Sequence, residues 1–174
     1  MTEHTERRQR LEQDLHEQVT AWRLCPVVDA LQALRGVQCT VAVTTVAELG
    51  DLTRCDHPRH LMNYLGLTPS AYSSGERRRQ GGITKTGNTH GRRALIKGAW
   101  AYRYPATVSR HLQLRLEKLP KPIQDVSWKA QVRLCKRSRQ LRARGKNPNQ
   151  VGVAMARELI ACMWAIAPQV PVTT

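Results

Sequence analysis

The sequence predicts a mainly α fold with few or no strands, and three observations lead there. Apolar residues recur at spacings of three and four, first at Leu11, Leu15, Val19 and Trp22, the period of one helical face. Proline and glycine punctuate the intervals between such stretches. No segment sustains the alternation of apolar and polar residues that marks a half-buried strand. At 174 residues the chain suffices for one domain with a real core, or one domain plus an extension.

Residues 3–24 read as an amphipathic helix, with Leu24 continuing the apolar stripe among Glu, Gln and Arg. It could pair with a partner helix or pack on its own domain. Pro26 suits the first turn of a second helix carrying Val27, Val28, Leu31 and Leu34, because its missing N–H has no helical partner there anyway. Gly36 stops that helix, and a third apolar stretch runs from Val37 to Gly50, a helix terminator. Helix, glycine turn and helix resemble a helix-hairpin-helix, whose turn amides can hold a phosphate. A plain helical hairpin fits the same residues.

Asp56 is placed to cap a short helix from His57-Pro58 to Leu65. Asn88 or Thr89 caps the next, from His90 to Tyr104, with Ala94, Leu95, Ala99 and Tyr102 on its packing side. A basic helix follows to about Leu119, broken by Pro120 and Pro122. Residues 123–144 form a long helix bearing Lys129, Arg133, Lys136, Arg137, Arg139, Arg142 and Arg144. The last helix, Val151 to Ile166, is nearly apolar and is expected to close the core. The expected organisation is a linker helix over 1–24, one domain over 25–167 and a disordered tail over 168–174.

Net charge is +15, unevenly spread: residues 1–56 carry −3 and residues 57–174 carry +18. So large a one-signed excess calls for a polyanion to relieve its self-repulsion. The arginines lie without an aromatic anchor face, which disfavours a membrane surface and favours nucleic acid. No apolar run reaches the ~20 residues of a bilayer span. Five cysteines, an odd number without a Cys-x-x-Cys pair, argue against a disulfide framework and a zinc knuckle and for reduced thiols in a cytoplasm.

The chemistry concentrates in residues 64–93, which hold a serine pair, six glycines and six arginines or lysines. Glycine lets backbone approach a ligand closely, and arginine meets phosphate with a planar, bidentate fork. Ser73 and Ser74 stand just before Arg77, Arg78 and Arg79. A hydroxyl among such cations could attack a phosphodiester, although a base, a metal or a positive field must first activate it. Ser-Ser-Gly is also ordinary turn chemistry. His57 and His60 have a spacing open to a metal but no third ligand nearby. After Ser74 the only carboxylates are Glu76, Glu117, Asp125 and Glu158, too few and too scattered for a two-metal nuclease centre.

The run from Tyr64 to Leu95 resembles the C-terminal domain of IS110/IS116-type insertion-sequence transposases, a group that includes the Piv/MooV-type DNA invertases. It reads Tyr-Leu-Gly-Leu-Thr-Pro-Ser-Ala-Tyr-Ser-Ser-Gly, then Gly-Gly-Ile-Thr-Lys-Thr-Gly-Asn-Thr-His-Gly-Arg-Arg-Ala-Leu. The likeness extends upstream through Ala-Glu-Leu-Gly-Asp-Leu-Thr-Arg and downstream through Ala-Trp-Ala-Tyr-Arg-Tyr-Pro and Ala-Arg-Glu-Leu. The resemblance implies a DNA recombinase whose serine forms a covalent phosphoserine link and whose target is chosen by a structured RNA. The family's Ser-Gly pair maps onto Ser74, with Ser73 the adjacent alternative. Arg77, Arg78, Arg79, Lys85, Asn88, Arg92 and Arg93 map onto its basic, nucleic-acid-contacting elements.

Such enzymes also carry an N-terminal RuvC-like domain whose Asp/Glu tetrad holds Mg²⁺, and residues 1–56 do not resemble one. The expectation is a serine-bearing part with no cofactor of its own, Mg²⁺ arriving only with that other domain. Expected partners are DNA, guide RNA and a second copy or a full-length transposase, in a bacterial cytoplasm. The alternative is a non-catalytic nucleic-acid-binding or assembly module that modulates a full-length transposase. A basic structural RNA-binding protein would fit the charge but not the serine-glycine loop.

Overall fold

The structure, a computed structural model, describes residues 3–74 and 77–171, with side chains outside 71–80. Eight α-helices and one two-stranded sheet among the described residues make it mainly α. Helix α1 spans Glu3–Thr20, α2 Cys25–Leu31, α3 Cys39–Leu49 and α4 Pro58–Tyr64. Strands β1 (Pro69–Ser74) and β2 (Arg77–Ile83) follow, then α5 (Thr89–Ala99) and α6 (Arg110–Leu116). Helices α7 (Lys121–Ala143) and α8 (Pro148–Ile166) complete the set.

Local chemistry explains most boundaries. Pro26, Pro58, Pro122 and Pro148 all sit in first turns, where their fixed φ is already helical. Gly50 ends α3 with φ +67°. Asn88 caps α5, its side chain accepting from the Gly91 amide at 2.8 Å. One cap differs from the sequence reading. His57, not Asp56, caps α4, its Nδ1 accepting from the Arg59 amide at 3.0 Å, because a ring nitrogen one residue later reaches the same orphan donor.

The apolar α8 is the hub of the core, packed against α5, α7, α4 and α2. Its Met155, Leu159, Ile160 and Met163 lie with Val28, Leu31, Leu49, Leu95 and Leu134 at 1% exposure or less. Each such side chain contributes about 1.5–3 kcal/mol by leaving water. By length and composition alone Pro148–Gln169 would pass for a membrane-crossing helix, but half of it is buried inside this fold. Side-chain bonds tie distant segments across the core: Ser127 Oγ donates to the Ala33 carbonyl at 2.6 Å, and Trp164 Nε1 to that of Cys55 at 2.7 Å.

The α2–α3 hairpin is a packed one. Gly36, at φ +80°, lies so close to α5 that a Cβ there would meet the Gly98 carbonyl oxygen at 2.2 Å. The next amide, of Val37, is bonded to the Leu34 carbonyl, and the Val37 carbonyl accepts from Arg115. The turn glycine therefore serves helix packing.

Helix α1 buries only Val19, leaving Leu11 at 60% exposure. At the other end, the segment expected to be disordered from 168 begins as a 3-10 turn over Ala167–Gln169, and Val170 packs against the core. Residues 172–174 lie outside the described residues.

Candidate nucleic-acid interface

The serine-glycine-arginine segment, expected as a loop, is an antiparallel β-hairpin. Its register pairs Pro69 with Ile83, shifts between Pro69 and Ala71, and then pairs Ala71 with Gln80 and Tyr72 with Arg79. Ser73 stands across from Arg78 and Ser74 across from Arg77, the last pair before the tip. Period-two patterning could not reveal these strands, since Ser, Gly and Arg give them no apolar face. The tip residues Gly75 and Glu76, and the side chains of Ser73, Ser74, Arg77, Arg78 and Arg79, lie outside the described residues.

The base of the hairpin is locked into the helical body. Thr84 N–H donates to the Thr68 carbonyl, Lys85 N–H to that of Gly66, and Asn88 N–H to that of Tyr64. Gly66 (φ +61°) and Gly87 (φ +80°) make this crossing possible. A Cβ on either would lie 2.0 Å from a carbonyl oxygen of the opposite segment, Thr86 for Gly66 and Tyr64 for Gly87. These two glycines bring backbone to backbone, where the sequence suggested backbone to ligand.

Arg92 completes the lock. It is 9% exposed, and its guanidinium donates to the carbonyls of Leu65 at 2.9 Å and Thr86 at 3.2 Å and to Thr89 Oγ1 at 3.2 Å. Asn88 is equally committed, capping α5 through Oδ1 while its amide donates to Glu48. Both were sequence candidates for nucleic-acid contact, and both are taken up by the fold. Lys85 and Arg93 are exposed. Lys85 holds the one left-handed non-glycine conformation among the described residues, φ +58°.

His57 is committed to its cap, and no group of three or more His, Cys, Asp or Glu that could hold a metal occurs among the described residues. All five cysteines are free. Burial raises the pKa of Cys162 to about 11, with Arg133 opposing and Glu158 adding to the rise. Cys25, Cys39 and Cys135 are also raised, chiefly by burial. These four thiols are therefore not poised as thiolate nucleophiles.

A second basic surface lies on the helices. Arg133 and Arg137 of α7 are held by Glu158 of α8 at 2.9 and 2.6 Å. Lys129, Lys136, Arg139, Arg142 and Arg144 make no salt bridge among the described residues and are exposed. Sequence reading treated the α7 cations alike, because only the position of Glu158 on a neighbouring helix divides them. Trp100, Arg103 and Tyr104, which entered the sequence reading within the family likeness but not as site candidates, form a basic-aromatic run just after α5. The Arg103 guanidinium lies 5.7 Å from the Trp100 ring centre and 4.6 Å from that of Tyr104.

Comparison with known proteins places these elements in context. Residues 28–112, which include the whole hairpin and its glycine lock, match the "Transposase IS116/IS110/IS902 family". The chain is 48% identical over 158 residues to "Putative transposase y4qE" of Sinorhizobium fredii, covering 91% of this chain and 40% of that protein. It is 33% identical over 88 residues to "Transposase for insertion sequence element IS1111A" of Coxiella burnetii, covering 51% of this chain and 22% of that one. The chain thus spans well under half the length of these relatives.

Proposed function

Because residues 28–112 match the transposase IS116/IS110/IS902 family, we propose that the chain is the nucleic-acid-binding, serine-bearing part of an insertion-sequence transposase. One observation carries the reading most directly: in the hairpin register the serine pair stands across from consecutive arginines, Ser74 opposite Arg77 and Ser73 opposite Arg78. The rigid base under the hairpin supports it too. A nucleophile must be held within a fraction of an ångström of its target, and a free loop would not do this.

In the proposed step the Ser74 oxygen attacks a DNA phosphorus. The new serine–phosphate bond forms as the bond to one deoxyribose oxygen breaks, and the serine proton ends on that leaving hydroxyl. One phosphodiester replaces another, so the reverse attack by a sugar hydroxyl rejoins DNA without an external energy source. Arginines of the hairpin stabilise the charge on the non-bridging oxygens in the transition state. The described residues do not suit a Mg²⁺ centre. Carboxylates that activate the serine would come from an additional domain, in line with the coverage of y4qE at 40%. DNA and guide RNA are the proposed polyanions for the +18 of residues 57–174, and a second copy or a full-length transposase the proposed assembly partner.

The test mixes the chain with element-end DNA, guide RNA and Mg²⁺, with and without a separately supplied RuvC-like domain, and looks for a covalent protein–DNA adduct. An adduct lost in Ser74→Ala and kept in Ser73→Ala supports the assignment. Retention in Ser74→Ala refutes it, and loss only in Ser73→Ala moves the nucleophile by one residue. Nucleic-acid binding without adduct under any condition favours the second reading, a binding module acting on a full-length transposase. Leu11 of α1, left 60% exposed, is the feature that favours it.

A further inference from the structure

Trp100 stands where α5 passes into the 3-10 turn Trp100–Arg103. It lines a cleft of about 180 Å³ between this turn and helices α7 and α8. The floor is mostly apolar, built from Ala99, Val151 and Met155, with the buried Ser138 among them, and Arg103 and Arg142 also line it. On the α5 side Trp100 also lines a shallower recess with Arg93 and Lys97. The indole therefore divides two pairs of cations, and no carboxylate lines either depression. Gly152 adjoins the ring: a Cβ there would sit 3.8 Å from it.

Three features narrow the ligand. An apolar floor beside an indole has no use for a bare phosphate, whereas a flat heteroaromatic ring can stack there and leave its charge to the rim. The volume falls below the roughly 300–1,000 Å³ of sites for drug-sized molecules, so a single ring system suits it better than a larger ligand. The cations continue on both sides of the indole, as a chain of phosphates running past one stacked base would require. A duplex could not insert a base there without unpairing it.

We propose that the Trp100 cleft receives one unpaired base of a single-stranded nucleic acid. Arg103 and Arg142 hold the phosphate on one side of it, Arg93 and Lys97 track the backbone on the other, and Ser138 offers its hydroxyl to the base edge. This rests on the nucleic-acid-binding reading above but is separate from the serine chemistry. The hairpin is not involved. Single-stranded DNA and RNA share the chemistry, and the test distinguishes them.

The experiment titrates the full chain by fluorescence anisotropy into labelled oligo-dT, oligo-rU of equal length and a DNA duplex, each at several salt concentrations. Trp100→Leu should weaken single-strand binding about 5- to 150-fold, the worth of one base–aromatic stack. Its salt dependence should stay unchanged, because no phosphate contact is lost. Duplex binding should hold, and Trp100→Phe should recover part of the loss. Arg142→Gln should instead flatten the salt slope by about 0.7. Tighter binding of dT or of rU identifies the source of the base. Ultraviolet crosslinking to 5-iodouracil oligonucleotides adds a readout on the unmutated chain, with the adduct expected on the peptide that contains Trp100. Equal losses on single strand and duplex, no loss in Trp100→Leu, or crosslinks only elsewhere would each overturn the proposal while leaving nucleic-acid binding intact. Failure of the unmutated chain to bind any of the three probes would overturn the broader reading as well.

Discussion

Arg92 and Arg93 are neighbours of the same type at the start of one helix, and the structure gives them opposite fates. The decisive perturbation is Arg92→Ala, with Arg93→Ala as its partner experiment. Arg92 is 9% exposed and supplies three hydrogen bonds, two to backbone carbonyls on either side of the hairpin base. A bond from a charged donor is worth about 1.5–3 kcal/mol, but truncation also relieves the cost of burying the guanidinium. A net loss of about 2–4 kcal/mol results, which for a domain of this size lowers Tm by roughly 4–16 °C. Arg92→Lys should lose most of the same stability, since an ammonium cannot span three acceptors in one plane. The exposed Arg93 should change stability by about 0.5 kcal/mol or less.

Urea and thermal denaturation followed by far-UV circular dichroism give the numbers. Hydrogen exchange localises them: the amides of Thr84, Lys85 and Asn88, which bond across the hairpin base, should open far more readily than those of α8. Stability of Arg92→Ala within about 0.5 kcal/mol of the unmutated chain, below the worth of one ordinary hydrogen bond, would refute the structural assignment. Loss of nucleic-acid affinity at unchanged stability would return Arg92 to the phosphate contacts that the sequence suggested.

Further outcomes follow from the same geometry. Gly87→Ala, whose Cβ would lie 2.0 Å from the Tyr64 carbonyl oxygen, should cost at least about 3 kcal/mol. Gly145→Ala, also left-handed but in open space, should cost only the conformational ~1–2 kcal/mol. Equal losses in the two denaturation curves would rule out the clash. The Tyr102 hydroxyl is buried with no hydrogen-bond partner among the described residues, so Tyr102→Phe should raise stability by about 1 kcal/mol. A loss of that size would reveal a hidden partner. Burial raises the Cys162 pKa from 9.0 to about 11, so the folded state holds its proton where the unfolded chain has lost it. The resulting stability, on the order of 2 kcal/mol, is complete below pH 9 and disappears as the pH rises toward 11. Urea midpoints of the unmutated chain and Cys162→Ala should therefore converge across that window, and parallel curves would contradict the burial argument.

By itself, the sequence determined what neighbouring residues decide. Helix periodicity, Pro26 and Pro58 in first turns, Gly50 as a stop and Asn88 as a cap act within one or two turns, and each stands where the pattern put it. The uneven charge was equally legible, because composition needs no geometry. The tertiary structure decided whatever depends on a partner distant in sequence. Local chemistry alone cannot separate Arg92 from Arg93, but burial against Leu65, 27 residues away, does. Gly66 and Gly87 looked like ligand-approach glycines until the two segments crossed. The strands went unseen because their Ser, Gly and Arg residues leave no apolar alternation to read. Glu158 neutralises two of the α7 arginines from another helix, and the others make no salt bridge among the described residues. Trp100 became a candidate site only when α7 and α8 packed beside it. Local propensity is a short-range energy and can be read residue by residue. Which cation stays in solvent, and which glycine meets another backbone, are set by long-range packing that the chain acquires only on folding.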